Sequence, residues 1–140
     1  MSTHIPDTNI RPAKQPSVNA LAVKRSDKLD TDRCKHVLRV VASYFGLPID
    51  TLMAPTRGKQ DVAFARQLAM YLANTHYQLS MPLIARTMGR DRSTIGFGIR
   101  RIEDLRDNER TDTIINCLEL LLMNGDRHNH VSDSSARLSN

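Results

Sequence analysis

Arg90, Asp91, Arg92, Ser93 and Thr94 concentrate, in one short stretch, donors and acceptors suited to reading base edges in a duplex. An Arg fork pairs bidentately with guanine, Asp accepts from cytosine N4, and the Thr methyl sits against the thymine methyl. That chemistry needs these residues at the N-terminus of a helix that enters the major groove. The flanking pattern predicts such a helix. Ser80 is suited to cap a short helix whose first turn tolerates Pro82 and whose Leu83, Ile84 and Met88 face inward. Gly89 ends it, Arg90 and Asp91 form a tight connection, and Asp91 is suited to cap a second helix from Arg92 to about Arg106. Ile95, Ile99, Ile102 and Leu105 form the buried face of that helix. A short helix, a Gly-containing turn and a longer helix make a helix-turn-helix.

At 100° per residue, Ser93, Gly96 and Arg100 fall opposite the isoleucine stripe, with Phe97 near that outer face. Gly98 is expected to permit close helix packing and Phe97 to cover a neighbouring element. Charge supports a polyanionic partner. Residues 57 to 101 hold Arg57, Lys59, Arg66, Arg86, Arg90, Arg92, Arg100 and Arg101 against Asp61 and Asp91, a net +6. Residues 102 to 124 carry a net −4, so the chain is polarised. A concentrated positive patch on a small domain attracts nucleic acid or an anionic membrane, although a solvated surface has the same composition.

The elements that must hold these side chains are helices. The chain has 140 residues, 40% of them hydrophobic and 4% aromatic, with 20 Lys and Arg against 15 Asp and Glu, which fits one globular domain with polar ends. Residues 1 to 29 contain Pro6, Pro12 and Pro16 and are expected to form a flexible basic arm. From Asp30 or Thr31, Cys34, Val37, Leu38, Val41, Ala42 and Phe45 recur at helical spacing until Gly46 and Pro48. Ile49 to Met53 can add one turn, and Ala54 to Gln60 is a basic loop. A helix from about Asp61 to His76 buries Ala65, Leu68, Ala69, Leu72 and Ala73. A last helix, Asp112 to Met123, buries Ile114, Ile115, Leu118, Leu121 and Leu122 before Gly125. The expected fold is therefore an all-α bundle of about five helices spanning 30 to 124, with disordered termini and a polar tail over 125 to 140.

Other function classes find little support. His4, His36, His76, His128 and His130 are scattered, and no acid, base and nucleophile converge, so no enzyme is expected. Cys34 and Cys117 supply too few ligands for zinc and are both expected to be buried thiols. No metal or other cofactor is implied. No apolar run approaches the roughly 20 residues needed to span a bilayer, and no basic helix shows a large exposed apolar face. Met1 to Ala20 lack the unbroken apolar core of a signal peptide. The expectation is a cytoplasmic, nucleoid-associated protein.

Four ordered motifs strengthen this reading: Ala65-Arg66-Gln67-Leu68-Ala69-Met70-Tyr71-Leu72, Leu79-Ser80-Met81-Pro82-Leu83-Ile84, Gly89-Arg90-Asp91-Arg92-Ser93-Thr94-Ile95 and Arg100-Arg101-Ile102. Over residues 31 to 122 the chain resembles the C-terminal DNA-binding domain of the bacterial chromosomal replication initiator, DnaA. The resemblance implies double-stranded DNA as partner, a helix-turn-helix in the major groove and the preceding basic loop in the adjacent minor groove. It implies Arg57 and Lys59 for the minor groove, Arg66 and Gln67 for phosphates, and Arg90 to Thr94 for bases. Ser80 and Arg100 are further candidates for backbone contact. The departures are specific. The family usually has two glycines before Arg-Asp-His-Thr-Thr, whereas here Gly89 stands alone, Arg92 replaces the His and Ser93 the first Thr, and Gly58 lies where Arg is common. The chain also lacks the Gly-x-x-x-x-Gly-Lys-Ser/Thr loop of an ATPase. These features imply a sequence-specific DNA-binding protein without ATPase activity, acting on transcription or as a modulator of replication initiation, with a replication or transcription protein as a possible partner. The alternative is a protein-interaction module of the same fold that has lost specific DNA binding.

Overall fold

The computed structural model describes residues 18–55 and 59–138. Among them there are six helices and no strand: α1 (Val18–Phe45), α2 (Ile49–Met53), α3 (Gln60–Thr75), α4 (Met81–Met88), α5 (Arg92–Leu105) and α6 (Glu109–Leu138). The all-α expectation holds. The core joins Val37 and Val41 of α1, Leu52 of α2, Leu68 and Leu72 of α3, Ile84 of α4, Ile95 and Ile102 of α5, and Ile115, Leu118 and Leu122 of α6, each essentially without solvent exposure. α3 is the central element, lying against α1 and most extensively against α5.

Two helices run further than periodicity alone predicts. α1 begins at Val18, inside the segment expected to be a flexible arm; residues 1–17 lie outside the described residues. Beyond Pro16 the sequence offers Ala, Leu, Lys and Arg with no further proline, all good helix formers. Lys28 also pairs with Asp32 one turn on, at 3.6 Å. At the other end, α6 passes through Gly125, where the sequence predicts a stop. A Cβ on Gly125 would stand 3.1 Å from His36 Nε2, so the glycine serves close approach of α6 to α1. The Tyr77 hydroxyl donates to Asp126 Oδ1 and Oδ2 at 2.8 and 2.9 Å, tying the next residue of α6 to the end of α3. Tertiary contact outweighs the helix penalty of about 1 kcal/mol for a single glycine.

The corner between α5 and α6 has a polar pin. Arg106 donates through Nη1 to the Tyr71 hydroxyl at 2.8 Å and through Nε and Nη2 to Asp112 Oδ1 at 3.1 and 2.8 Å. It also covers the Tyr71 ring, 6.0 Å from its centroid. Four sequence-based burial assignments change. Leu121 is 45% exposed, Ile114 and Leu105 are only partly buried, and Cys117 is half-buried rather than enclosed. Cys34 is buried as expected, and burial pushes its thiol up to about 11.

Gly98 explains how the second helix of the pair sits so close to α3. A Cβ there would lie 2.6 Å from Met70 Sδ and 3.3 Å from Gln67 Cγ. Gly98→Val should therefore cost about 1–3 kcal/mol through overpacking, read as a lower denaturation midpoint. An unchanged midpoint would mean that α5 is not seated on α3 in solution.

Candidate nucleic-acid interface

The helix-turn-helix is built from local signals that all agree. Ser80 is the N-cap of α4, its hydroxyl accepting from the Leu83 amide at 3.3 Å, with Pro82 in the first turn. Gly89 closes α4 in the left-handed conformation, φ 66° and ψ 40°, which a side chain would resist. The Arg90 amide then donates to the Ala85 carbonyl at 2.9 Å, and the chain enters α5. Asp91 occupies the N-cap position in extended backbone, but its side chain makes no capping hydrogen bond. The early amides of α5 are thus not taken up by that carboxylate, which suits an anion at this end of the helix.

Arg92, Ser93 and Thr94 are exposed in the first turn of α5, beside exposed Asp91. One turn on, Phe97 is 56% exposed, and Arg100 and Arg101 follow on the same ridge. Ile95, Ile99 and Ile102 are buried on the other side. Among the described residues no carboxylate forms a salt bridge with Arg92, Arg100 or Arg101. The ridge therefore presents charge-assisted donors, a hydroxyl, a methyl and an aromatic ring to whatever docks there. Phe97 does not cover a neighbour as the sequence suggests, and it is the surface residue that spacing alone undervalues. Gly96, expected on the outer face, is buried, and a Cβ on it would lie 3.7 Å from Met81 Sδ.

Phe97 and Arg101 also border an open cleft of about 760 Å³ whose floor includes Phe45, Phe64 and Ile114. Gln67 lies on its wall, half-buried against Gly98.

The basic loop is less uniform than its charge implies. Lys59 is exposed at the N-cap of α3, while Arg57 lies outside the described residues. Arg66 is the main correction. It is 5% exposed, and its guanidinium donates from Nε to the Leu52 carbonyl at 2.8 Å and from Nη2 to the carbonyls of Thr51 and Ala54 at 3.0 and 3.2 Å. Such a side chain braces α2 and the start of the loop. Burial, and then the nearby Arg90 charge, hold the Arg66 pKa below the ordinary arginine value. Arg90 departs from the expected base-reading set for a related reason. Its Nη2 donates to the same Ala54 carbonyl, and its Nε is buried without a partner, so the side chain turns from the helix-turn-helix back to the loop.

Comparison with known proteins shows what this arrangement is similar to. A family described as the bacterial dnaA protein helix-turn-helix matches residues 34–102. The chromosomal replication initiator protein DnaA of Corynebacterium jeikeium is 41% identical over 78 residues, 54% of this chain and 13% of that protein. The DnaA protein of Tropheryma whipplei is 33% identical over 90 residues, 64% of this chain and 18% of that protein. The chain thus spans less than a fifth of these relatives' length. A crystal structure of a DNA replication initiation factor superposes with a TM-score of 0.69 at 22% identity, covering 76% of this chain and 33% of that one, a likeness of fold.

Proposed function

We propose that the protein, whose residues 34–102 match the family described as the bacterial dnaA protein helix-turn-helix, binds double-stranded DNA sequence-specifically, with α5 in the major groove. The observation that carries this reading is the exposed ridge of Arg92, Ser93, Thr94, Phe97, Arg100 and Arg101, held on a capped helix-turn-helix with none of its arginines in a salt bridge among the described residues. Arg92, Ser93 and Thr94 read bases, Phe97 packs on a thymine methyl, and Arg100, Arg101 and Lys59 meet phosphates. Ser80, already capping α4, aligns that helix where it crosses the backbone. Without a phosphate-cradling nucleotide loop in its 140 residues, this chain acts through DNA occupancy and not ATP turnover. It regulates transcription or modulates replication initiation by holding sites that an initiator also recognises.

Titrating labelled duplexes at rising salt tests the electrostatic part. With about five phosphates neutralised, log affinity should fall against log salt with a slope of about −4 to −5. Lys59→Ala should weaken all duplexes alike and make the slope shallower by about one. A slope near zero removes the DNA-binding reading. It would favour instead a protein-interaction module, for which exposed Leu120, Leu121 and Met123 on α6 offer an apolar surface.

A further inference from the structure

We propose that the cleft bordered by α1, α3, α5 and α6 is a binding site for a small aromatic carboxylate, an effector whose charge is held by Arg101 and Arg110. Binding there needs no DNA, and only its effect on DNA affinity rests on the reading above.

The apolar part of the site comes from incomplete closure of the core. Phe45, Leu47, Phe64, Leu105 and Ile114 pack against the core yet are only partly buried, and all five line this cleft. Single apolar residues at a surface need no explanation, whereas five opening on one concavity do. Phe45 meets Phe64 edge to face, with ring centroids 6.2 Å apart and planes at 78°, so the floor is set by packing before anything docks. A cleft of about 760 Å³ with an apolar floor and a few convergent polar groups has the size and make-up of a small-molecule site.

The polar groups select the ligand. Arg101 of α5 and Arg110 of α6 line the cleft and are exposed, and among the described residues neither guanidinium takes part in a salt bridge. Asp61, on the α3 side, is the single carboxylate on the described lining, so two cations face one anion. Thr111 lines the same cleft at only 7% exposure. Its amide donates to Asn108 Oδ1 at 3.3 Å, but its hydroxyl has no partner among the described residues. Thr113, by contrast, donates from its hydroxyl to the Glu109 carbonyl at 2.9 Å. A hydroxyl as deep as that of Thr111 is costly without a partner, and a ligand in the cleft supplies one. A planar ring thus lies on Phe45, Phe64 and Ile114, and its carboxylate meets guanidinium forks of matching shape. Asp61 disfavours a second anionic group at the far side.

The cleft also touches the DNA-reading ridge, because Phe97 and Arg101 belong to both. A carboxylate held by Arg101 withdraws that cation from phosphate, so occupancy opposes DNA binding, and DNA opposes occupancy by the same factor.

The test titrates the full chain with β-naphthoate, with neutral β-naphthamide and cationic β-naphthylmethylammonium as matched probes, followed by backbone amide NMR shifts. β-Naphthoate should saturate one site and move the amides of Phe64, Thr111 and Ile114, with the amide probe bound about tenfold more weakly and the cation more weakly still. Arg110→Ala, an exposed position outside the DNA-reading ridge, should weaken β-naphthoate about tenfold and leave the amide probe unchanged. Thr111→Val keeps the shape and removes the hydroxyl, and should weaken β-naphthoate about threefold. Equal affinity for the three probes, shifts centred on Leu120 and Leu121, no saturable site, or full β-naphthoate affinity in Arg110→Ala each overturns the proposal. On labelled duplexes, saturating β-naphthoate should weaken binding by the wild type about fivefold. Unchanged duplex affinity at saturation overturns the coupling. A wild type that takes up β-naphthoate at the cleft but binds no duplex sinks the DNA-binding reading and leaves the site standing.

Discussion

Leu118→Ala should destabilise the protein by about 2–5 kcal/mol, the range for removing a fully enclosed leucine, whereas Leu121→Ala should change stability by about 0.5 kcal/mol or less. Leu118 has no exposed surface and sits with Ile115 and Leu122, while Leu121 is 45% exposed. Chemical denaturation of the two variants, with equal slopes against denaturant, measures the contrast. Comparable losses in both would mean that α6 is rotated by most of a residue, or that Leu121 is buried by a partner in solution. The second case is separable, because the loss would then depend on protein concentration.

That pair marks the limit of what spacing reveals. Ile114, Ile115, Leu118, Leu121 and Leu122 all fit one apolar stripe, and the sequence cannot say which part of a broad stripe meets a narrow neighbour. α6 packs mainly on α1, and only the ridge of Ile115, Leu118 and Leu122 is fully enclosed there. The helix-turn-helix is more legible because its signals are local. Ser80, Pro82 and Gly89 act on the backbone within a turn of themselves, and each has the role that its residue type implies.

Arg66 defeats the rule that charge means surface. It lies in step with Val62, Ala69 and Ala73, all buried, and that periodicity carries the correct signal. Arg90 has no comparable signal. Its partner, the Ala54 carbonyl, is 36 residues earlier and is brought near only by the packing of α2 and α3 against the helix pair. The extent of α6 has the same origin, since His36 and Tyr77 meet Gly125 and Asp126 only in the folded chain.

Arg92→Ala should flatten base discrimination at one or two positions of the bound site, by about 1–3 kcal/mol for the preferred base pair. Arg92 is exposed in the first turn of α5, and among the described residues no carboxylate forms a salt bridge with it, so its guanidinium can meet guanine N7 and O6 together. Ser93 and Thr94 beside it are short and cannot substitute for that reach. The contrast with Arg90 sharpens the expectation, because Arg90 is tied to the Ala54 carbonyl and Arg92 is the arginine left to read. Arg92→His restores the residue that the initiator family usually carries, and its selected site should shift toward the usual initiator box. Selecting duplexes from a random pool with the wild type and both variants distinguishes base reading from phosphate binding. If all three select the same site and the variants only bind more weakly, Arg92 touches phosphate alone, and specificity passes to Asp91, Ser93, Thr94 and Phe97. Salt dependence gives an independent check. If Arg92 neutralises a phosphate, Arg92→Ala makes the log-log slope shallower by about 0.9; if it pairs with guanine, the substitution changes the preferred sequence instead.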